Sequence, residues 1–254
     1  MDVKQSVQEK FGEAAAHYAS SWPHRDGSDL QAMLEVADLS GDEVVLDVGC
    51  GAGHAAFAFA RGCRNVVALD LTEEMLAQTC EGARERHLDN VETHRGDAES
   101  LAFGDASFDV VVSRLAAHHF PHVARFAAEA FRVLRPGGRL IVSDSISPED
   151  ETQDTWLNSI EVLRDPSHVR NYRVSEWLTR FRASGFAAAE AHGTTPCPLD
   201  VAVWTERMNT PADARAGLRA LFASAPADVA EALHLDRDGR SWQLEIAVVS
   251  ARKA

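Results

Sequence analysis

The stretch Val44-Val45-Leu46-Asp47-Val48-Gly49-Cys50-Gly51-Ala52-Gly53-His54 constrains this chain more than any other. An apolar run of strand length carries one acid and then opens into three glycines at alternate positions. From Ala55 to Arg61 the sequence turns alanine-rich with a helical period. Strand, glycine loop and helix form the opening unit of a doubly wound, nucleotide-binding sheet. Glycine has no Cβ, so the chain can turn sharply there and a ligand can approach the backbone. The helix that follows aims free N–H groups and the positive end of its dipole at that ligand.

The spacing narrows the ligand. A dinucleotide loop reads Gly-x-Gly-x-x-Gly, its third glycine letting helix and strand pack closely. Here the loop is Gly-x-Gly-x-Gly, and His54 stands where that third glycine belongs. Asp47, inside the strand, would repel a pyrophosphate but suits a ligand with positive charge. S-adenosylmethionine carries an ammonium and a sulfonium and no phosphate. The pattern resembles the first motif of class I S-adenosylmethionine-dependent methyltransferases.

Charge and composition remove other classes. With 39 acidic against 25 basic residues the formal net charge is -14, which disfavours nonspecific binding to nucleic acid or an anionic membrane. Four cysteines, at 50, 63, 80 and 197, form no Cys-x-x-Cys pair, so neither a zinc site nor a disulfide framework is suggested. Residues 1–10 are polar, and no apolar run reaches transmembrane length. The expectation is a soluble cytoplasmic protein, monomer or homodimer, that binds a small molecule.

Residues 1–40 read as helical, with Phe11, Ala15 and Tyr18 on one face and Leu30, Met33, Leu34 and Ala37 on another. Trp22-Pro23-His24-Arg25-Asp26-Gly27 interrupts them. This turn is expected to serve as a lid or substrate wall over the glycine loop. A second strand, Val66–Leu69, ends at Asp70, at the distance where an acid hydrogen-bonds ribose hydroxyls. Thr72 is the expected N-cap of the next helix, with Glu73 and Glu74 favouring its dipole. Val91–Arg95 follows as a third strand and Gly96-Asp97-Ala98 as a turn. Phe108–Ser113 is an unbroken run suited to a central strand buried on both faces. The loop beyond it faces the ligand crevice of such a sheet, and it carries the adjacent pair His118 and His119. His118 and His122 lie at i, i+4, but Pro121 breaks the helix between them, and a metal site is not expected.

Pro121 is expected to start a helix with Phe126, Ala130, Phe131, Val133 and Leu134 buried, and Arg139–Val142 to form the fifth strand. The order Asp47–Gly53, Asp70, Asp97-Ala98 and Leu134-Arg135-Pro136-Gly137-Gly138 resembles the ubiquinone/menaquinone-biosynthesis type of methyltransferase. Ala116-Ala117-His118-His119-Phe120, Leu163-Arg164-Asp165-Pro166-Ser167-His168-Val169-Arg170 and Thr210-Pro211-Ala212-Asp213 look like the YcgJ-type bacterial methyltransferases, a likeness spanning nearly the whole chain. It implies an α/β fold: a Rossmann-like, doubly wound, mostly parallel sheet of seven strands, helices on both faces, and a helical insertion before the last strand. Residues 1–43 are expected as an N-terminal helical lid, 44–146 as the S-adenosylmethionine-binding core, and 147–254 as the remainder of the same domain.

In that remainder, helices are expected over Asp150–Leu163 and after a Ser175 cap, then a strand over Phe186–Ala191. Short helices follow between Asp200 and Leu235, and a closing strand over Trp242–Ser250. The long insertion between these last strands is expected to cover the active-site mouth. The resemblance implies cofactor contacts from Asp47, Gly49, Cys50, Gly51, Gly53, Asp70, Leu71, Met75, Asp97, Ala98 and Arg114. The Asp97 carboxylate would accept from the adenine amine.

Methyl transfer from a sulfonium needs alignment and exclusion of water, and a base only where the acceptor must lose a proton. His118 or His119, with His24 as a third candidate, are the residues for that role. Trp22, Phe120 and Trp204 are the candidates for stacking on a flat substrate. The expected reaction is N-, C- or O-methylation of a small planar aromatic or heterocyclic metabolite, such as a pteridine-like compound. Quinone-ring C-methylation, a non-catalytic S-adenosylmethionine-binding protein and a nicotinamide-dependent oxidoreductase are the alternatives.

Overall fold

The strands form where the apolar runs predict them. A computed structural model describes residues 3–20, 27–236 and 238–254, without the side chains of residues 13–20. Helix α1 (Val3–Ser20) and α2 (Ser28–Ala37) precede the sheet. Then come β1 (Val44–Val48), α3 (His54–Ala60), β2 (Asn65–Asp70), α4 (Glu73–Glu85), β3 (Val91–Arg95) and β4 (Phe108–Arg114). A single turn of 3-10 helix at Ala117–His119 leads to α5 (Val123–Val133), β5 (Leu134–Ile146), α6 (Glu151–Arg164) and α7 (Val174–Ala183). The chain closes with β6 (Ala188–Asp200), α8 (Val201–Arg207), α9 (Ala212–Ser224), α10 (Ala227–Ala232) and β7 (Ser241–Arg252).

The sheet has seven strands in the order β3-β2-β1-β4-β5-β7-β6, parallel except for β7. The order reverses between β1 and β4, so the crevice at their carboxyl ends is the place for a ligand. Alternation along the strands feeds two cores. Leu46, Val48, Val111, Leu140 and Val142 pack with Phe126 and Ala130 of α5 and Trp177 and Phe181 of α7. Val45, Val110, Val112 and Ile141 face the other way, onto Met33 of α2 and Phe59 of α3. The outermost strand, β6, carries Pro196 and Pro198, which have no N–H to offer a further strand.

Several boundaries differ from those the sequence suggests. Helix α5 starts at Val123, not Pro121, because Phe120 and Pro121 complete the turn that follows the 3-10 helix. Helix α6 is capped by Asp150, whose carboxylate accepts from the Thr152 and Gln153 N–H groups. Helix α7 starts at Val174, and Arg173 is its N-cap. The Ser175 hydroxyl donates instead to Glu149 Oε2 at 2.5 Å. Strand β6 continues past a bulge after Ala191 to Asp200, because β7 supplies partners along its whole length.

Residues 201–240 are the insertion. None of them lines the cavity at the strand ends. Helices α8–α10 place Trp204, Leu218, Phe222 and Val229 against Leu157 and Ile160 of α6 and Trp242 of β7, a third core away from the glycine loop. Trp204, 2% exposed, packs edge-on against Trp242 with ring centroids 5.0 Å apart. It fills this core and is not part of the cavity wall beside the glycine loop. Among the described residues no helix is long and apolar enough to cross a membrane.

Candidate active site

A cavity opens at the carboxyl ends of β1, β2 and β4. The loop after β1 shapes it. Gly49, Gly51 and Gly53 have φ of +72°, +52° and +88°, the left-handed region that only glycine enters freely. Their side-chain spaces differ. A Cβ on Gly49 would lie 2.7 Å from Ala116 Cβ, and one on Gly53 would meet Phe57 and Thr79 below 3 Å, whereas nothing lies within 4 Å of one on Gly51. Gly53 therefore serves close packing behind the cavity, and Gly51 leaves room for a ligand.

Asp70, at the end of β2, fastens this loop. Its Oδ2 accepts from the Gly51 N–H and its Oδ1 from the Thr72 N–H, both at 2.9 Å. Thr72 caps α4 with no side-chain hydrogen bond to the helix, so the local buttress comes from Asp70. Burial pushes the Asp70 carboxyl above its usual range against these hydrogen bonds. Leu71 and Met75 continue the wall, with Cys50 beside them as a neutral thiol whose pKa burial drives up.

Asp47 is the anomaly. It is fully buried, and neither carboxylate oxygen meets a donor in hydrogen-bonding geometry, although the Ala56 N–H lies close enough to favour its ionised form. Burial, with Asp70 adding to it, raises its pKa to about 7. A carboxylate kept dry beside a cavity without a partner is costly. A cation entering the cavity would relieve that cost.

At the far end of the cavity, Asp97 and Ala98 lie in the turn after β3. Asp97 Oδ1 accepts from the Glu99 N–H, and Lys4 of α1 reaches both Asp97 Oδ2 and Glu99 Oε2 at 2.7 Å. Gln8 Nε2 donates to the Leu71 carbonyl at 3.1 Å, and the Phe11 ring meets His119 edge-on. Lys4, Val7 and Phe11 thus lay one face of α1 along the cavity. Sequence reasoning placed a lid near this cavity but did not single out Lys4 or Gln8. The 4, 7, 11 spacing of an amphipathic helix was the available signal.

The two histidines of the 3-10 turn take different environments. His118 Nδ1 lies 2.6 Å from Asp144 Oδ1, and the His118 amide donates to Oδ2 of the same carboxylate at 2.9 Å. Asp144 thereby fixes the Nδ1–H tautomer and leaves Nε2 as the basic nitrogen. Although burial opposes it, Asp144 raises the His118 pKa above its ordinary value. His119 donates Nδ1–H to the Ser167 carbonyl at 3.0 Å and lines the cavity. Burial and the neighbouring His118 lower its pKa to about 4, so it is neutral near pH 7. Val169 and Arg170 donate their N–H groups to the His118 carbonyl. The Asp165–Arg170 segment is therefore the buttress of the histidine turn. Asp144 was missed because nothing local marks a strand acid as a partner for a turn 26 residues earlier.

Arg114, Phe120 and His119 complete the wall next to the glycine loop. Trp22 and His24 lie outside the described residues. Of the expected positions, Asp47, Gly49, Cys50, Gly51, Asp70, Leu71, Met75, Asp97, Ala98, Arg114, His119 and Phe120 line one cavity. Gly53 stands behind it, His118 lies beside it with its ring centroid 4.2 Å from that of the wall residue His119 and its side chain 17% exposed, and Trp204 is not part of the wall. Among the described residues no group of His, Cys, Asp and Glu could hold a metal ion.

A model of the methyltransferase domain matches residues 46–142. The uncharacterized methyltransferase YcgJ of Bacillus subtilis (strain 168) is 38% identical over 203 residues, covering 80% of each chain. Its crystal structure superposes with a TM-score of 0.86, covering 90% of this chain and 99% of that one. The uncharacterized protein YafE of Escherichia coli (strain K12) is 40% identical over 206 residues, 81% of this chain and 99% of that protein. At 15% identity and a TM-score of 0.69, covering 100% of this chain and 61% of that one, Haemonchus contortus phosphoethanolamine N-methyltransferase 2, crystallised with S-adenosylhomocysteine, shares the fold alone. With the sheet order, the glycine loop and the paired-histidine turn in place, these likenesses decide the family: the chain belongs to the class I S-adenosylmethionine-dependent methyltransferases of the YcgJ type.

Proposed function

We propose that this protein binds S-adenosylmethionine in the cavity and methylates a small, planar aromatic or heterocyclic metabolite. The observation that carries the cofactor reading is Asp47, a buried carboxylate beside a cavity whose oxygens are left without a well-formed hydrogen bond. The donor set fits the group. Asp47 suits its cationic end, Asp70 its ribose hydroxyls and the Asp97 turn its adenine amine. When bound, the cofactor supplies an electrophilic methyl group on a sulfonium. The chain's own part is to orient the acceptor, exclude water and take a proton.

His118 is the proton acceptor of this proposal. Its Nδ1–H is committed to Asp144, so Nε2 takes the proton from an acceptor O–H or N–H, and Asp144 stabilises the imidazolium formed. His119, with its depressed pKa, serves as a neutral wall and hydrogen-bond acceptor. Phe11 and Phe120 supply aromatic faces for a flat acceptor.

Calorimetry with S-adenosylmethionine, S-adenosylhomocysteine and NAD tests the cofactor. Binding of the first two, weakened in Asp70→Ala, is the expected result, and binding of NAD alone overturns it. A methyl-transfer panel of small aromatics, heterocycles, tRNA and protein tests the acceptor class. Transfer to macromolecules and to none of the small acceptors would overturn that part.

A further inference from the structure

Three neighbouring strands present a row of polar side chains at the cavity end of the sheet. Asp47 on β1 lies opposite Val112 of β4, so Arg114, two residues farther along β4, points to the same face. Arg114 itself lies opposite Ser143 of β5. Strand spacing and rise put the Asp47 and Arg114 Cα atoms roughly 8 Å apart, within the combined reach of the two side chains. Among the described residues, two buried carboxylates therefore lie within reach of Arg114: Asp47 in the sheet and Asp29 in the first turn of α2.

It gives its fork to Asp29. Nε donates to Asp29 Oδ2 at 2.6 Å and Nη2 to Oδ1 at 2.8 Å, and Ser143 Oγ adds a bond to Oδ2 at 2.8 Å. The Asp29 and Arg114 side chains are only 3% and 4% exposed. Asp47 receives no such bond. Asp29 lies outside the cavity wall, whereas Arg114 and Asp47 are both part of it. The Nε–H and Nη2–H donors that lose Asp29 are drawn to another buried acceptor, because a buried donor left unsatisfied is costly.

We infer that Asp29 is a positioning residue: it holds Arg114 off Asp47 and so keeps the Asp47 carboxylate open for the cationic end of the cofactor. Without Asp29, Arg114 turns to Asp47, a closed ion pair replaces the cation site, and cofactor binding weakens. The inference rests on the cofactor reading above and goes beyond it, since it makes a residue of α2 decide the charge state of a sheet position.

The test is calorimetric binding of S-adenosylmethionine to wild type, Asp29→Asn, Arg114→Met and the double variant, with thermal unfolding of each. Asp29→Asn is expected to weaken binding about tenfold or more, and the double variant to bind more tightly than Asp29→Asn alone. A purely structural role for Asp29 leaves the double variant as weak as the single one or weaker. That result, or unchanged affinity in Asp29→Asn, overturns the inference. Should Asp29→Asn fail to fold, Ser143→Ala carries the comparison. Severalfold weakening that Arg114→Met reverses is expected, and no weakening overturns it. A wild type that binds neither S-adenosylmethionine nor S-adenosylhomocysteine overturns the cofactor reading and this inference with it. A wild type that binds without the expected pattern among variants overturns the inference alone.

Discussion

His118 Nδ1 and Asp144 Oδ1 stand 2.6 Å apart, joining the turn after β4 to the buried acid of β5. Such a pair orients an imidazole and raises its basicity. His118→Ala is expected to lower kcat about 10²–10⁴-fold, the usual worth of a general base, and leave the Kd for S-adenosylmethionine within about twofold. Single-turnover kinetics beside calorimetry separates the two. Equal loss of binding and rate would show that the turn, not the base, had been damaged.

The same pair sets a pH dependence. Asp144 raises the His118 pKa above 6.5, so the imidazolium persists to higher pH than usual and the free base appears only as pH rises through that elevated value. A profile of kcat/KM is expected to climb through a pKa above 6.5. Asp144→Asn should move that limb to lower pH while reducing the plateau. A profile flat across this range would remove His118 from the proton transfer.

Asp47 gives a second titration. Its carboxyl, with a pKa of about 7, must ionise to receive a cation, so affinity for S-adenosylmethionine is expected to rise as pH increases through about 7. Asp47→Asn should weaken binding and flatten that dependence. The stability sign runs the other way. The folded protein holds the proton more tightly than the unfolded chain, so the cost of ionised Asp47 grows from about pH 4 to pH 7 and is fully present above it. Asp47→Asn should stabilise the unliganded protein at pH 8 by roughly 1–4 kcal/mol, and by little at pH 4. Urea unfolding at both values checks it.

Lys4 ties α1 to Asp97 and Glu99 at the far end of the cavity. Its side chain is 28% exposed, so the pair is worth about 1 kcal/mol or less. Lys4→Ala is expected to speed dissociation of S-adenosylhomocysteine by about two- to fivefold in stopped flow, an effect that shrinks in high salt. An unchanged rate would mean that α1 does not restrain the bound cofactor.

Trp204 belongs to the insertion core and not to the wall of the cavity. Trp204→Ala should cost about 3–5 kcal/mol of stability, as for other large buried aromatics, with affinity for S-adenosylmethionine unchanged wherever the protein stays folded. Denaturant unfolding and calorimetry measure the two quantities independently.

The amino-acid sequence by itself determined the sheet, its doubly wound class and the glycine loop, because these follow from local physics. Apolar runs of strand length bury themselves, and glycines stand where the backbone takes positive φ. It also marked Asp70 and the paired histidines, since they fall at the ends of recognisable strands. It could not say that Asp70 would hold the loop through Gly51, or that Trp204 would sit against Trp242. Nor could it say that the insertion would build its own core, or that Lys4, Val7 and Phe11 would be the residues of the N-terminal helix to line the cavity. Those outcomes depend on which surfaces meet. Tertiary structure alone decided which carboxylate was neutralised and which left open, and which histidine was made basic. Charge and proton affinity inside a protein are set by burial and by partners brought together from distant parts of the chain: Asp29 for Arg114, Asp144 for His118, and for Asp47 burial without a well-formed hydrogen bond.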